Sequence, residues 1–433
     1  MTRTLQQMIL NLLDVNRGDL PARRPWKSFS DREWEQALAW LDLSGLAIYF
    51  LRRMTRTNSL SFLPDLVRTE LERRGANNRL RSTEILQEFR TIIDAFEESH
   101  VKYAVLKGIA LLPDYCAGLE FRTQYDHDVL IAPESFEAAR NALECSGFRC
   151  RNEGNEESVV VYRKTDPEVR FSQNSEALYS SRLGRSVELH RTLWEESEER
   201  ICVRLSDDFL ERRQIRDWEG ISFSALCDED CLLFQILHAF KHILRNWCRL
   251  SIFLEVAYFI NGRSNDLAFW RSFAARIENV RWAREATMIV FTLAEQLFGA
   301  AIPARLQSSL KSPLSPVLNL WIERYGRYSA ASNFHGDKCS LFLHQEFVES
   351  SSEWAMIRRR RLFPLHRPHR PPAVVFQRGF SAIGRIWMEK AHALRRLMFH
   401  SLAGLRYVLE YPRWIVLRRL AESGDSERLF GMR

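Results

Sequence analysis

The chain has no paired-cysteine motif. Its eight cysteines, at positions 116, 145, 150, 202, 227, 231, 248 and 339, never stand as Cys-x-x-Cys. That spacing excludes a zinc knuckle and argues against a disulfide framework, leaving reduced, mostly buried thiols as the expectation. Long apolar runs are missing too. No window approaches the ~18 uninterrupted apolar residues of a membrane-crossing helix, and the longest apolar patches, 43–51 and 231–240, suit buried helices. The first apolar residues are interrupted at Asp14 and lead to no small-residue cleavage site, so no secretory leader is expected and the cytoplasm is the expected compartment. There is no internal repeat, and no low-complexity tract beyond Arg358–Arg361.

What is present fits a folded protein. Of 433 residues, 46% are hydrophobic and 27% charged, enough apolar material for a substantial core. The length suggests ~2–4 domains. Charge is distributed unevenly. Residues 355–433 hold 17 basic and 5 acidic side chains, a net of +12, so the rest of the +7 chain carries −5. A mildly acidic body with a strongly basic tail implies an anionic partner for the tail: nucleic acid, a membrane surface or the body itself.

Four segments follow from the texture. Residues 1–96 read as helices, with Asp31 as an acidic start before Trp34, Leu38 and Leu41, and with a long helical run from Leu66 to Phe96. Residues 97–225 mix short strands (Val101–Leu106, Tyr125–Ile131, Val159–Arg163, Val169–Phe171, Ser186–His190) with a helix from Pro133 to Glu144, the pattern of one α+β unit. Residues 226–350 return to helix, over Cys231–Ile260 and Ala268–Phe298. Residues 351–433 hold the arginine run, expected to be solvated and flexible, then Pro364, Pro368, Pro371 and Pro372 as a linker, then a basic amphipathic stretch to Leu420.

The chemistry concentrates in the α+β segment. Asp126 and Asp128 are two apart in a strand, which puts both carboxylates on one face while Val129 and Ile131 pack on the other. Adjacent carboxylates repel unless a cation neutralises them, and Mg²⁺ favours one or two carboxylates plus substrate phosphates. Upstream, a strand runs into Lys107-Gly108 and a helix-like Ile109-Ala-Leu-Leu, where a backbone close to a ligand and free N–H groups would suit phosphate. Downstream, Ser186-Val-Glu-Leu-His places Glu188 and His190 on one face of another strand. His238 and His242, at i and i+4, lack the third ligand a zinc site needs, so their helix is read as lining a nucleotide cleft, with Lys241 or His242 reaching phosphate or base.

The order Val105-Leu-Lys-Gly-Ile-Ala, Arg122, Asp126-His-Asp-Val-Leu-Ile and Val187-Glu-Leu-His resembles the uncharacterised nucleotidyltransferase family of the DNA polymerase β superfamily, over roughly residues 30–300. The resemblance implies a polymerase β-type core, a small mixed sheet with helices, flanked by helical segments. It implies two-metal transfer of a nucleoside monophosphate from an NTP, ATP being the expected one, with release of pyrophosphate. Asp126, Asp128 and Glu188 would be the catalytic, metal-binding carboxylates for Mg²⁺ or Mn²⁺. Lys107, Gly108, Arg122, His190, Lys241 and His242 would bind the nucleotide. Lys107-Gly108 stands where much of the superfamily has Gly-Gly or Gly-Ser, and Glu188 where many members have Asp. The acceptor is left open among a small molecule, a sugar, a peptide or protein, and an RNA end. Two other readings stay beside this one: a non-catalytic nucleotide- or RNA-binding module with a basic tail, and a membrane-surface partner in a polysaccharide or peptide-modification pathway.

Overall fold

The computed structural model describes residues 3–18, 25–151, 158–164, 178–181, 184–303, 314–332, 337–363 and 382–424. The expected strand at Val169–Phe171 and the proline linker from residue 364 lie outside the described residues.

Helices build the amino-terminal part: α1 (Arg3–Leu12), α2 (Asp31–Ser44), α3 (Ala47–Arg56) and α4 (Asp65–Glu98). α2 begins where the sequence indicates, because Ser30 and Glu33 close a capping box, and it ends at Gly45 with φ +74°. α4 runs 34 residues and buries a stripe at three- and four-residue spacing, including Val67, Leu71, Ile85, Phe89, Ile92 and Phe96. The stripe also carries polar residues whose partners set the path of the next segment. Arg74 makes a two-pronged pair with Asp42 at 2.9 and 3.0 Å. Asn78 donates to the carbonyls of Glu120 and Arg122, and Arg81 to that of Gln124. α4 therefore holds residues 120–124, the approach to Asp126, from below.

Seven strands form one mixed sheet: β1 (Tyr103–Val105), β2 (Asp126–Ile131), β3 (Phe148–Cys150), β4 (Val159–Lys164), β5 (Ser186–His190), β6 (Gln214–Trp218) and β7 (Ile221–Ala225), in the order β3-β4-β5-β2-β1-β7-β6. β2 lies parallel to β5 and antiparallel to β1, and β4 lies antiparallel to β5. α5 (Phe136–Cys145) follows β2. The α+β class and the small mixed sheet flanked by helices are as the sequence implies. The sheet is larger than expected, since β3 and the β6–β7 hairpin were not anticipated. The hairpin turns through Glu219 and Gly220, both at positive φ (+47° and +73°), which suits a tight two-residue connection.

The two long carboxy-terminal helical runs are each divided. Residues 231–260 become α7 (Asp228–Leu244) and α8 (Leu250–Gly262), parted where Asn246 takes φ +56°. Residues 268–298 become α9 (Leu267–Glu278) and α10 (Ala283–Phe298), parted at Trp282 with φ +64°. α6 is a single turn, Glu196–Glu199, between β5 and β6. Beyond α10, Arg359 and Arg360 of the arginine run are exposed as expected, but the run is also helical and partly packed. It closes the helix Ser351–Leu362, which buries Trp354 and Ile357, and Arg361 pairs with Glu199 at 3.2 Å. A last helix spans Ala382–Ser423. One connected body of buried apolar side chains runs from Leu5 through the sheet and α7–α10 to Trp414 and Leu417. Among the described residues, no helix is long and apolar enough to cross a membrane. All eight cysteines are free thiols.

Candidate active site

Parallel pairing of β2 with β5 sets Asp126 opposite Ser186 and Asp128 opposite Glu188. Alternation then sends Asp126, Asp128, Glu188 and His190 to one face. His127, Val129, Val187 and Leu189 point to the other, where His127 stacks on Phe89 of α4 with ring centroids 6.1 Å apart.

Asp128 is at the centre of the front face, with a fully buried side chain. Its Oδ1 accepts from Lys107 Nζ at 2.8 Å and lies 2.9 Å from His190 Nε2. Its Oδ2 is buried with no hydrogen-bond partner. His190 Nε2 is also 4.0 Å from Glu188 Oε2. One ligating atom from each of Asp128, Glu188 and His190 lies within 4.8 Å of the others, the one such group among the described residues. The structure thus gathers two of the three expected carboxylates with His190, a residue expected to bind nucleotide. Asp126 stands next to them on the same face but outside that group. His238 and His242 form no ligand group.

The electrostatics show an excess of negative charge. Burial and the neighbouring Asp128 and Asp126 push the Glu188 carboxyl up to about 8, against the pull of Lys107 and a hydrogen bond from Ser186. Burial and Asp128 also raise Asp126 above the usual carboxylate range. Burial would raise Asp128 as well, but Lys107 and the hydrogen bond from His190 hold it well below that range. Lys107 is kept firmly charged by Asp128, Asp126 and Glu188 despite its burial. One lysine thus faces three carboxyl groups. A divalent cation would relieve that imbalance, and the unpartnered Asp128 Oδ2 is a ligand atom without another use. The residues present fit such an ion.

Gly108 sits at φ +70° at the start of a four-residue 3-10 turn, Gly108–Leu111, not of a helix. An added Cβ would lie 2.6 Å from Gln124 Nε2. Here glycine makes room for Gln124, whose Nε2 donates to the Asp126 carbonyl at 2.8 Å. The expected helix N-terminus for phosphate is therefore absent at this turn. Arg122 is not brought to the carboxylates. Its guanidinium pairs with Glu255 of α8 at 3.2 Å, and Glu255 also accepts from Tyr49 at 2.7 Å. Lys241 pairs with Glu195 at 2.7 Å, and His242 Nδ1 donates to the Trp247 carbonyl at 2.6 Å.

α7 nevertheless borders the site. Burial drives His238 well below its usual range, and charged Lys107 and neighbouring His242 add to that effect. Burial, with Lys107 and Arg249 nearby, pushes His242 down to about 4 against its bond to the Trp247 carbonyl. The two rings meet edge to face at 4.6 Å. Both are neutral at physiological pH, so they offer ring nitrogens and flat surfaces without charge.

Three residues of the site were not foreseen. Arg249 donates to the Thr123 carbonyl at 3.1 Å, lies over the Tyr125 ring at 4.8 Å and draws Asp126 down. Gln124 secures the turn into β2. Arg163 of β4 faces the same side as Glu188, because β4 pairs Val161 with Glu188 and Arg163 with Ser186. Its Nε is buried without a hydrogen-bond partner. Arginines outside recognisable motifs give no local signal. The strand expected at Val159–Arg163 carried the third, but its run of apolar residues did not single the arginine out.

A mixed sheet that presents paired carboxylates on one central strand and a third on its parallel neighbour, beside a lysine–glycine turn, is the frame of a nucleotidyltransferase. Residues 30–299 match the sequence pattern of the uncharacterised nucleotidyltransferase family, and the chain belongs to that family. No curated protein matches the chain.

Proposed function

We propose that the protein transfers a nucleoside monophosphate from an NTP, ATP being the expected one, to an acceptor hydroxyl. The observation that supports this most directly is the acid cluster: Asp126, Asp128 and Glu188 on one face, with Lys107 paired to Asp128, Arg249 acting on Asp126, and Asp128 Oδ2 buried and unpartnered. In this reading Asp126, Asp128 and Glu188 hold Mg²⁺ or Mn²⁺, with His190 fixing the Asp128 carboxylate. The ion, when bound, would neutralise the triphosphate and stabilise charge on the attacking and leaving oxygens. The acceptor oxygen forms a bond to the α-phosphorus, the bond to the bridging oxygen breaks, and pyrophosphate leaves. Glu188, once it has given up its own proton, takes the proton of the acceptor hydroxyl. Lys107 keeps Asp128 ionised and faces the triphosphate, and Arg249, His238 and His242 flank the nucleotide. Arg163 holds the acceptor beside Glu188. Residues 97–225 would carry the chemistry, 226–350 the wall of the cleft, and 1–96 the support behind the sheet.

The test is pyrophosphate release from each of the four NTPs with Mg²⁺ or Mn²⁺, with cell extract as acceptor source. Wild type is compared with Asp126→Ala/Asp128→Ala of unchanged circular dichroism. Turnover by wild type that falls ~10²–10³-fold or more in the variant supports the reading. Equal silence of both, with nucleotide bound equally well, would show a binding module instead.

A further inference from the structure

The last helix, Ala382–Ser423, has two apolar faces. One is spent on the body: Ala403, Tyr407, Trp414, Leu417 and Ala421 are buried, and Tyr407 and Trp414 stack on Phe342 at 4.9 and 5.1 Å. The opposite face is not covered. Leu394, Met398, Leu402, Leu405, Leu409 and Val416 follow one stripe at three-, four- and seven-residue spacing, and each is between 44% and 69% exposed. The stripe is ~33 Å long at ~1.5 Å per residue. An apolar surface of that length on a water-facing helix marks an interaction site.

Charge says what kind of surface it meets. Arg406 and Arg413, seven residues apart and exposed, follow one flank of the stripe, and exposed Lys390 and Arg419 stand near its ends. The acids of the described side chains on this helix are turned away and occupied. Glu410 accepts from Arg324 at 3.1 Å and Tyr325 at 2.9 Å, and Glu422 lies 3.3 Å from Arg418. A second copy of the helix would bring arginine against arginine. An anionic lipid surface would meet the arginines with phosphate and the leucines with acyl chains, the combination that holds a helix flat in the interface.

We propose that this helix docks the protein, lying parallel to the surface, on a membrane rich in anionic lipid, through the leucine stripe with Arg406 and Arg413 beside it. The inference is independent of the catalytic reading, since it uses no residue of the β2–β5 site.

The experiment is co-sedimentation of the full chain with vesicles of phosphatidylcholine containing 30% phosphatidylglycerol, against phosphatidylcholine alone. Wild type should partition at least tenfold more strongly onto the anionic vesicles, and 0.5 M NaCl should weaken it. Leu405→Glu/Leu409→Glu should lose at least tenfold of that partition with its thermal melt unchanged. If the glutamates unsettle the helix, Leu405→Ser/Leu409→Ser serves in their place with a smaller loss. Absence of binding to anionic vesicles, equal binding to neutral ones, or variants that bind like wild type would each overturn the proposal. A wild-type dimer split by the same variants, without vesicle binding, would give the stripe to a second copy.

Discussion

Glu88 and Glu188 sit on opposite sides of one sheet, and their neighbours move the two carboxyls in opposite directions. Glu88, on α4, lies behind β2 with its side chain 8% exposed, and Glu188, on the front, is 28% exposed. Burial pushes both carboxyls up, and their partners then move them apart. The nearby His127 ring, 3.5 Å away, and the ion pair with Arg185 outweigh burial and bring Glu88 down to about 2, whereas two neighbouring carboxylates add to burial and bring Glu188 up to about 8. Partners, not depth, decide. Behind the sheet the acid is matched by basic partners within the protein, and in front the acids crowd one another.

The contrast predicts opposite signs for the same substitution. Glu88→Gln removes the acid from a buried ion pair and leaves Arg185 only the more distant Glu84, at 3.9 Å, so we expect a loss of ~3–5 kcal/mol at pH 7, read from urea unfolding. Glu88 ionises more readily folded than unfolded, so its contribution is present above pH ~4.5 and fades as pH falls toward 2; the gap between variant and wild type should close over that range. Glu188 is the inverse. Its folded state holds the proton more tightly, so it costs stability as pH rises from ~4.5 through 8. Glu188→Gln should therefore stabilise the metal-free protein by ~1–2 kcal/mol at pH 9 and do little at pH 5. If both variants destabilise equally at pH 9, the two faces are alike and the contrast fails.

A smaller effect sharpens it. If Glu188 holds a cation as proposed, proton and cation compete for it, and the rise in melting temperature caused by Mn²⁺ should be larger at pH 8.5 than at pH 6, by ~2–4 °C. The increment should vanish in Asp128→Asn. The smallest expected change is at the acceptor side. Arg163→Gln should raise the acceptor KM ~10-fold with kcat little changed, a split that a merely structural arginine would not give.

Much of this site was legible in the sequence because strand alternation is a local rule. Two-residue spacing put Asp126 with Asp128 and Glu188 with His190. What it could not provide was the pairing between those strands, about sixty residues apart, and hence the 2.9 Å contact that makes His190 a partner of Asp128. Arg122 shows the same limit. Its position in the motif order suggested phosphate, but its charge is matched by Glu255, 133 residues away. Gly108 was singled out correctly as a backbone specialist, though the group that approaches it is Gln124. The break at Trp282 escaped notice because tryptophan does not announce a left-handed turn, whereas Asn246, a residue that tolerates that conformation and stands between Arg245 and Arg249, was a signal passed over.

The parallel register of β2 and β5 also bears on how such a chain can change over generations. Side chains alternate faces, so inserting or deleting one residue within β5, between Ser186 and Glu188, would turn Glu188 and His190 to the back of the sheet together. The acid cluster is thus inherited in whole steps, present or gone, with no intermediate geometry for selection to grade. The stretch from Arg191 to Arg213, which joins β5 to β6, is under no such parity rule. Length variation among descendants of this chain should collect there and spare the five residues of β5.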